Sequence, residues 1–125
     1  MVRFNENNEV IRNEEYTAIL AGIQLREDIS YSMEELAGLA EADGVAVAGQ
    51  MIQSLERPNT ATLIGKGKVE ELAELCRNME ADMVIFNDEL SGVQLRNLEE
   101  ALEVLSLSPR RIWRTTPSNL SLIHI

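Results

Sequence analysis

Nearly continuous apolar stretches alternate along the chain with stretches in which apolar residues recur every three or four positions. The continuous stretches cover residues 16–23, 45–52 and 83–86, and runs of this length are typical of strands buried on both faces of a sheet. The pattern is also compatible with a brief extra strand over residues 62–64. The order strand, helix, strand, helix, strand, helix predicts an α/β fold: a parallel sheet of about four strands with alternating helices, in two or three layers.

Capping boxes mark two of the three predicted helix starts. In such a box a serine and a glutamate or glutamine three residues later cap the helix, and flanking apolar residues form a hydrophobic staple. The predicted pairs are Ser32 and Glu35 with Tyr31 and Leu36, then Ser91 and Gln94 with Leu90 and Leu95. The second helix is predicted to start near Gly67. Its buried stripe is predicted to contain Val69, Leu72, Ala73, Cys76 and Met79.

Composition and charge limit the function classes. The chain has 125 residues, enough for one domain with a modest core, and only 4% are aromatic, so the core must be mostly aliphatic. The formal net charge of −10 argues against nucleic-acid binding by the whole surface, but not by a local basic patch. A single cysteine excludes a disulfide framework and fits a reducing cytosol. The polar segment at residues 1–15 is no signal peptide, and no apolar run reaches membrane-spanning length.

The clearest binding chemistry lies in the longest loop predicted at the carboxyl ends of the strands. This loop carries Arg57 and runs into Gly65, Lys66, Gly67 and Lys68, where the second helix begins. Glycines permit close backbone approach, and a helix N-terminus flanked by lysines favours anions. The P-loop spacing between glycines is missing, as is the hydroxyl that would hold magnesium, and no dinucleotide motif is present. Two interpretations stay open: a seat for a phosphate of a nucleotide or of RNA, and a tight turn with solvated lysines.

Other residues give weaker indications of chemistry. Asp88 and Glu89, after the third strand, are candidates for a metal, but a turn before the Ser91 cap or ion pairs with the loop lysines are the expected roles. His124, the only histidine, lies at the extreme end. Cys76 lies on the apolar face of its helix, which predicts a buried structural thiol. Because no nucleophile, base and orienting group can be assembled, no catalytic residue and no metal ligand is assigned.

Two segments resemble the HflX family of GTP-binding proteins. The segment "RPNTATLIGKGKVEELAEL" is similar to the family's "RP-x-x-AT-x-IG-x-GK-x-EEL", and "ADMVIFNDELSGVQLRNLEEAL" to its "AD-x-VIFD-x-ELSP-x-QLRNLE-x-AL". The segments "AILAGIQL" and "SMEELAGLAEADGVAVAGQMIQ" extend the resemblance to about residues 16–105. Asn87 stands where the family usually has Asp, and Gly92 where it often has Pro. The first departure weakens any metal role for that strand end.

The resemblance implies a cytoplasmic, ribosome-associated GTPase that acts on the large ribosomal subunit in splitting or rescuing stalled ribosomes. Residues 16–105 would be its N-terminal domain, which reaches ribosomal RNA through the loop that carries Arg57, Gly65, Lys66, Gly67 and Lys68. GTP and magnesium would belong to a GTPase domain that follows this chain and is its partner, so the fragment itself would be no enzyme and hold no cofactor. Two alternatives remain: an independent ATP- or GTP-binding domain, and a purely structural domain whose loop lysines form salt bridges.

The last residues, 106–125, differ from the rest of the chain. All 21 acidic residues lie at or before Glu103, whereas the tail has three arginines and two of the three prolines. The resemblance also ends here, so we expect a tail that is not native, with a genuine divergent terminus as the alternative. Residues 104–107 are a candidate fourth strand. Without such a strand the sheet keeps an open edge, and we expect a homodimer through that edge or the tail. Beyond about Pro109 we expect poor order unless a contact holds the chain.

Overall fold

Six strands and three helices make up the described part of the chain. The computed structural model describes residues 3–4, 10–11, 16–106 and 111–114, with side chains for residues 16–103. In chain order the elements are β1 (Arg3–Phe4), β2 (Val10–Ile11), β3 (Tyr16–Gln24), α1 (Ser30–Ala42), β4 (Val45–Ser54), α2 (Lys66–Asn78), β5 (Met83–Phe86), α3 (Gly92–Ser106) and β6 (Arg111–Arg114). The three predicted strands are confirmed, but burial on both faces holds only for β3 and β5, because β4 is mostly half-buried. Over these residues, no helix combines the length and the apolar character needed to cross a membrane.

Four strands form one parallel sheet in the order β4-β3-β5-β6. The first of them in the chain, β3, lies inside the sheet, with β4 on one side and β5 on the other. Strands are therefore added first in one direction and then in the other, which creates a switch point at the carboxyl ends of β3 and β5. The predicted parallel α/β sheet of about four strands is confirmed.

Helices cover both faces of the sheet, so the fold has three layers. Successive residues of β3 point to opposite faces. On one face Leu20 lies in a buried cluster with Met33 of α1. On the other face Ile19 lies in a larger cluster with Leu72 of α2 and Leu98 of α3. All five side chains are fully buried, and each contributes roughly 1.5–3 kcal/mol, so an aliphatic core holds both helical layers to the sheet.

Local capping signals predict one helix start correctly and one wrongly. At α3, Ser91 N donates to Gln94 Oε1 at 2.9 Å and Gln94 N donates to Ser91 Oγ at 3.1 Å, which confirms the capping box. The prediction for α1 is wrong, because this helix begins at Ser30, two residues before the predicted cap. Asp28 Oδ1 accepts hydrogen bonds from the backbone N and the hydroxyl of Ser30, at 2.8 and 2.6 Å. Tyr31 is 76% exposed and forms no staple.

Two further local predictions are wrong for conformational reasons. Residues 62–64 form no strand; a single antiparallel bridge joins Asn59 and Leu63. Leu63 has a φ of 65°, which lies far from strand values and ends any extended run there. Met79, predicted on the buried stripe of α2, follows the last helical residue as its C-cap and is 42% exposed.

The ends of the chain differ from the prediction. Residues 104–106, predicted as part of a fourth strand, are helical because α3 continues to Ser106. The fourth strand is β6, which pairs with β5 from Arg111 opposite Met83 to Arg114 opposite Phe86. The outer edge of β5 is therefore covered, and the open edge expected there is absent from the described residues. β1 and β2 pair only with each other. The rest of the tail beyond residue 114, including His124, lies outside the described residues.

Candidate functional site

The predicted site residues lie in a basic segment at the carboxyl edge of the sheet. We define the basic segment as residues 57–68. It follows β4, whose last residue Ser54 pairs with Gln24 at the end of β3, and Leu55 N donates to Gln24 O at 3.0 Å. The carboxyl edge is where parallel sheets bind ligands. The segment leaves the sheet from its outermost strand, however, and not from the switch point between β3 and β5.

Asn59 organises the start of the basic segment with five hydrogen bonds. Its backbone N and O exchange hydrogen bonds with Leu63, at 2.9 and 2.8 Å. Its side-chain Oδ1 accepts from Ala61 N at 2.8 Å and from Thr62 N at 3.1 Å. Its backbone O also accepts from Gln94 Nε2 at 2.9 Å. An asparagine side chain that bonds the backbone two residues on stabilises a turn, so residues 59–63 form a closed loop.

Two buried side chains anchor this loop to the hydrophobic core. Leu63 and Ile64 are only 4% and 1% exposed and belong to the cluster under α2 and α3. The positive φ of Leu63 costs about 1–2 kcal/mol for a residue other than glycine. Burial of its side chain contributes roughly 1.5–3 kcal/mol and offsets this strain. Thr62 Oγ1 also donates to Ile64 O at 2.7 Å. The loop is thus fixed by packing, although its sequence contains no apolar pattern longer than a few residues.

Two amide side chains of α3 hold the loop from the side. Gln94 Nε2 donates to Asn59 O at 2.9 Å, and Asn97 Nδ2 donates to Ala61 O at 3.0 Å. Gln94 is 9% exposed and is the buried polar side chain of the described residues. Its oxygen caps α3 at Ser91 while its nitrogen bonds the loop. A capping box accepts glutamate or glutamine, but only glutamine supplies this second donor.

The Gly-Lys-Gly-Lys stretch is the start of a helix and not a tight turn, while the interpretation of its lysines as simply solvated stays open. Gly65 is the N-cap of α2 with φ −65° and ψ 155°, and helical residues follow from Lys66. Gly65 N donates to Gln53 Oε1 at 2.7 Å, and a Cβ at Gly65 would lie 3.0 Å from Gln53 Nε2. A side chain at position 65 would therefore push the end of the Gln53 side chain aside, so glycine favours this close approach. Gly67 has no atom within 4 Å of an added Cβ, so the space beside the first turn of α2 is open.

The cations of the basic segment are exposed or half-buried, and one of them is paired. Lys68 Nζ lies 2.8 Å from Glu71 Oε2 within α2, with side chains 33% and 58% exposed. A pair this accessible contributes about 0.2–1 kcal/mol. Arg57 and Lys66 form no ion pair with another described residue. The salt bridges predicted between the lysines and the carboxylates after β5 therefore do not form, and Lys68 pairs inside its own helix instead.

Asp88 has a structural position at the switch point. Its Oδ2 accepts from Ile23 N at 3.0 Å and so ties the end of β5 to β3. Burial raises the pKa of Asp88, and the hydrogen bond from Ile23 opposes that rise. The described residues contain no group of three or more His, Cys, Asp or Glu side chains placed to hold a metal ion. The candidate metal role of Asp88 and Glu89 therefore gains no support.

The carboxyl edge gathers most of the cations of an acidic domain. Residues 16–103 contain six lysines and arginines against seventeen aspartates and glutamates. Four of those six cations lie at this edge: Arg26, Arg57, Lys66 and Lys68. Sequence reasoning missed Arg26, which lies two residues after the end of β3. The pairing of β3 with β4 brings its loop beside the start of the basic segment.

This arrangement offers recognition of an anion, since helix N-termini and nearby cations favour negative charge. The P-loop way of holding a magnesium-bound triphosphate does not fit it. The position after Lys68, where a P-loop has its magnesium-binding hydroxyl, is Val69, which is 4% exposed. Cys76 is fully buried, as predicted. The predicted contact of Arg57, Gly65, Lys66, Gly67 and Lys68 with phosphate or RNA stays a prediction.

Comparisons with known proteins find a matching family profile and several similar proteins. A family profile described as "GTP-binding GTPase N-terminal" matches residues 30–107. The chain is 44% identical over 96 residues to "GTPase HflX" of Caldanaerobacter subterraneus subsp. tengcongensis, covering 77% of the chain and 22% of that protein. It is 45% identical over 83 residues to "GTPase HflX" of Alkalihalophilus pseudofirmus, covering 64% and 20%. The chain thus spans about a fifth of the length of the curated relatives it matches. The profile match includes the basic segment and the α3 residues that hold it.

Proposed function

Because the chain belongs to the GTP-binding GTPase N-terminal family, with HflX proteins among its relatives, we propose that it is the N-terminal domain of a ribosome-associated GTPase. In this proposal residues 16–105 are a binding module for the large ribosomal subunit, and the basic segment contacts phosphates of its ribosomal RNA. The whole protein would act in the cytoplasm, in splitting or rescuing stalled ribosomes. Residues 106–125 would be a tail that is not native.

The observation that supports this proposal most is an exposed basic segment held rigidly on an acidic domain. RNA is recognised largely through its phosphates, by lysines, arginines and helix N-termini. Arg57 and Lys66 form no ion pair with other described residues, so binding RNA would not require breaking one. Since four of the six lysines and arginines of residues 16–103 lie at the carboxyl edge, the proposed RNA contact is placed there.

GTP and magnesium would be held by the part of the protein outside this chain. The basic segment lacks the P-loop spacing and the magnesium-binding hydroxyl, and Asp88 already accepts a backbone hydrogen bond. The GTPase domain that follows would then be a covalently attached partner of this domain. Hydrolysis would belong to it, while the N-terminal domain would supply binding to the subunit.

Co-sedimentation of the full-length protein with purified large ribosomal subunits tests the proposal. Lys66→Ala and Lys68→Ala should each weaken binding and make the slope of log K against log salt shallower by about 0.7–0.9, since each removes one phosphate contact. Arg77→Ala is the matched control, because it removes an equal charge from the last turn of the same helix. Arg77 lies about 16 Å from Lys66 along the helix axis. The control should leave both affinity and slope unchanged. Equal effects of all three variants, or no effect of any, would remove the basic segment from the account.

A nucleotide phosphate is the second candidate ligand of the basic segment. The open space beside Gly67 and the absence of an ion pair at Lys66 among the described residues favour it, while the missing magnesium-binding hydroxyl disfavours it. Calorimetry of this chain with ATP and GTP decides between the candidates. Heat of binding that Lys66→Ala abolishes would support a nucleotide site, and no heat at millimolar nucleotide would end the idea. A domain that binds neither nucleotide nor subunits would be a structural support for the GTPase domain.

A further inference from the structure

The basic segment is hydrogen-bonded to α3 through the buried side-chain amide of Gln94, which also caps that helix. Gln94 caps α3 through its oxygen and donates to Asn59 O through its nitrogen, and Asn97 donates to Ala61 O one helical turn further on. We infer that Gln94 and Asn97 are positioning residues for the RNA-binding surface, because they fix the loop that sets the separation of Arg57 from Lys66. The inference rests on the proposed function for its binding consequence, but not for its structural one.

The geometry of the loop explains why its closure matters. Arg57 and Lys66 are nine residues apart, and an extended chain of that length spans up to about 30 Å. The reciprocal hydrogen bonds of Asn59 and Leu63 bring the entry and exit of the loop to the Cα spacing of a bonded antiparallel pair, about 5.5 Å. The bridge therefore fixes the backbone from which Arg57, two residues before it, and Lys66, three residues after it, extend. If the bridge opened, their separation would no longer be defined.

A single bridge needs support from elsewhere in the fold, since even a complete two-stranded hairpin is marginally stable in water. Gln94 fills the second acceptor position of Asn59 O, whose first is taken by Leu63 N. Hydrogen bonds in a buried environment are stronger than in water, and leaving one unmade is costly. With α3 attached, the loop is ordered before it meets a partner, so binding does not have to supply the ordering entropy.

Two variants separate the positioning role from helix capping. Gln94→Glu keeps an oxygen to accept from Ser91 N, as in the S-x-x-E form of the capping box, but it cannot donate to Asn59 O. Asn97→Ala removes only the bond to Ala61 O, at a position that is half-buried and therefore tolerant. Asn78→Ala is the matched control, because Asn78 is an exposed asparagine at the end of α2, without a side-chain bond to the described loop.

Amide hydrogen exchange of this chain and co-sedimentation of the full-length protein with large ribosomal subunits provide the two readouts. In Asn97→Ala the amides of Ala61, Thr62 and Leu63 should exchange about 2- to 10-fold faster, the equivalent of one hydrogen bond. In Gln94→Glu the increase should be at least as large, because a buried carboxylate then also faces Asn59 O. The amide of Leu95 in the first turn of α3 should be unchanged. In Asn97→Ala subunit affinity should fall by a similar factor while the salt slope stays as in the wild type, since no charge changes and no phosphate contact is removed. The control should change neither.

Each contrary result overturns a definite part of the inference. Unchanged exchange at residues 61–63 in both variants would mean that α3 does not hold the loop. Faster exchange with undiminished subunit affinity would mean that loop order does not serve binding. Reduced subunit affinity with unchanged exchange would show that the amides contact RNA themselves and are not positioning residues, since loss of a neutral amide contact leaves the salt slope unchanged. Unchanged binding of Lys66→Ala and Lys68→Ala would overturn the proposed function and the binding consequence together, while the exchange rates would still decide the structural one.

Discussion

Replacing Asp88 tests whether the carboxylate at the switch point stabilises the fold by its charge or only by its hydrogen bond. Asp88→Asn keeps an oxygen that can accept from Ile23 N and removes the charge, whereas Asp88→Ala removes both. Ile23 is 5% exposed, so in the alanine variant its N–H loses a partner that water cannot easily replace, at a cost of about 1–3 kcal/mol. In a domain of this size that corresponds to a Tm lower by roughly 5–20 °C. At neutral pH the asparagine variant should equal or exceed the wild type.

The pH dependence of the same pair gives a second, independent expectation. Burial raises the pKa of Asp88 above its ordinary value of 3.8 in the folded protein. A carboxyl group with a raised folded pKa contributes its full stability below the unfolded pKa, and this contribution is lost as the pH rises through the folded pKa. Asparagine does not titrate. The free energy of unfolding of Asp88→Asn minus that of the wild type should therefore increase as the pH rises past the ordinary aspartate pKa of 3.8, and level off once the carboxyl group of the folded protein is ionised.

Urea denaturation followed by circular dichroism, at a series of pH values from acid to neutral, measures both expectations. Glu89→Gln is the matched control, because Glu89 is the neighbouring carboxylate and is exposed. Its difference from the wild type should not follow the course expected for Asp88→Asn. If Asp88→Asn is as unstable as Asp88→Ala at neutral pH, the charge itself stabilises the switch point and the reasoning is wrong. A difference that is flat across the series would show that burial does not penalise this carboxylate.

Two more outcomes follow from glycine environments and from the sheet edge. Gly22→Ala should lower the free energy of unfolding by about 1–3 kcal/mol in urea denaturation, because its Cβ would lie 3.0 Å from Ile29 Cδ1 and 3.1 Å from Met33 Sδ. Gly67→Ala, where the added Cβ meets open space, should raise it by up to about 1 kcal/mol. Wild-type stability of Gly22→Ala would refute the close packing at Gly22. A chain ended after Ser106 lacks β6 and exposes the edge of β5, so it should form the homodimer expected for an open edge. Light scattering would detect this homodimer, and a chain that keeps residues 111–114 is the control. A shortened chain that stays monomeric would contradict the expectation.

The sheet could be predicted from the sequence because its signals are local and strong. Residues 83–86 are continuously apolar and become β5, all four of whose side chains are buried. The Ser91 and Gln94 box predicts the start of α3 because both partners lie within one turn. At α1 the capping-box pattern predicted the wrong helix start, because Asp28 accepts two hydrogen bonds from Ser30 and the helix begins earlier. Two competing local signals cannot be ranked from residue types alone.

The candidate site could be predicted only in part, because its shape depends on contacts between distant residues. Lys66 and Lys68 are visible as cations at a helix start. The partners that fix the loop are not visible in this way, since Gln94 and Asn97 lie 35 and 36 residues from the carbonyls they bond. One signal was available: a glutamine in the capping box, where glutamate would serve equally well, carries a spare donor. Arg26 was missed because strand order, which places its loop beside the basic segment, does not follow from the pattern.

The two segments that carry the family resemblance form one structural unit. The "RPNTATLIGKGK" segment contributes a loop whose backbone oxygens need donors, and the "QLRN" stretch of α3 supplies them from Gln94 and Asn97. This contact accounts for amide side chains at these α3 positions, where a merely apolar or charged helix face would pack the core or meet solvent equally well. It also explains how a domain of net negative charge can present a basic surface at all. Because an exposed ion pair contributes little free energy, a loop fixed from the core and from α3 is enough to hold Arg57 and Lys66 exposed and without an ion pair among the described residues.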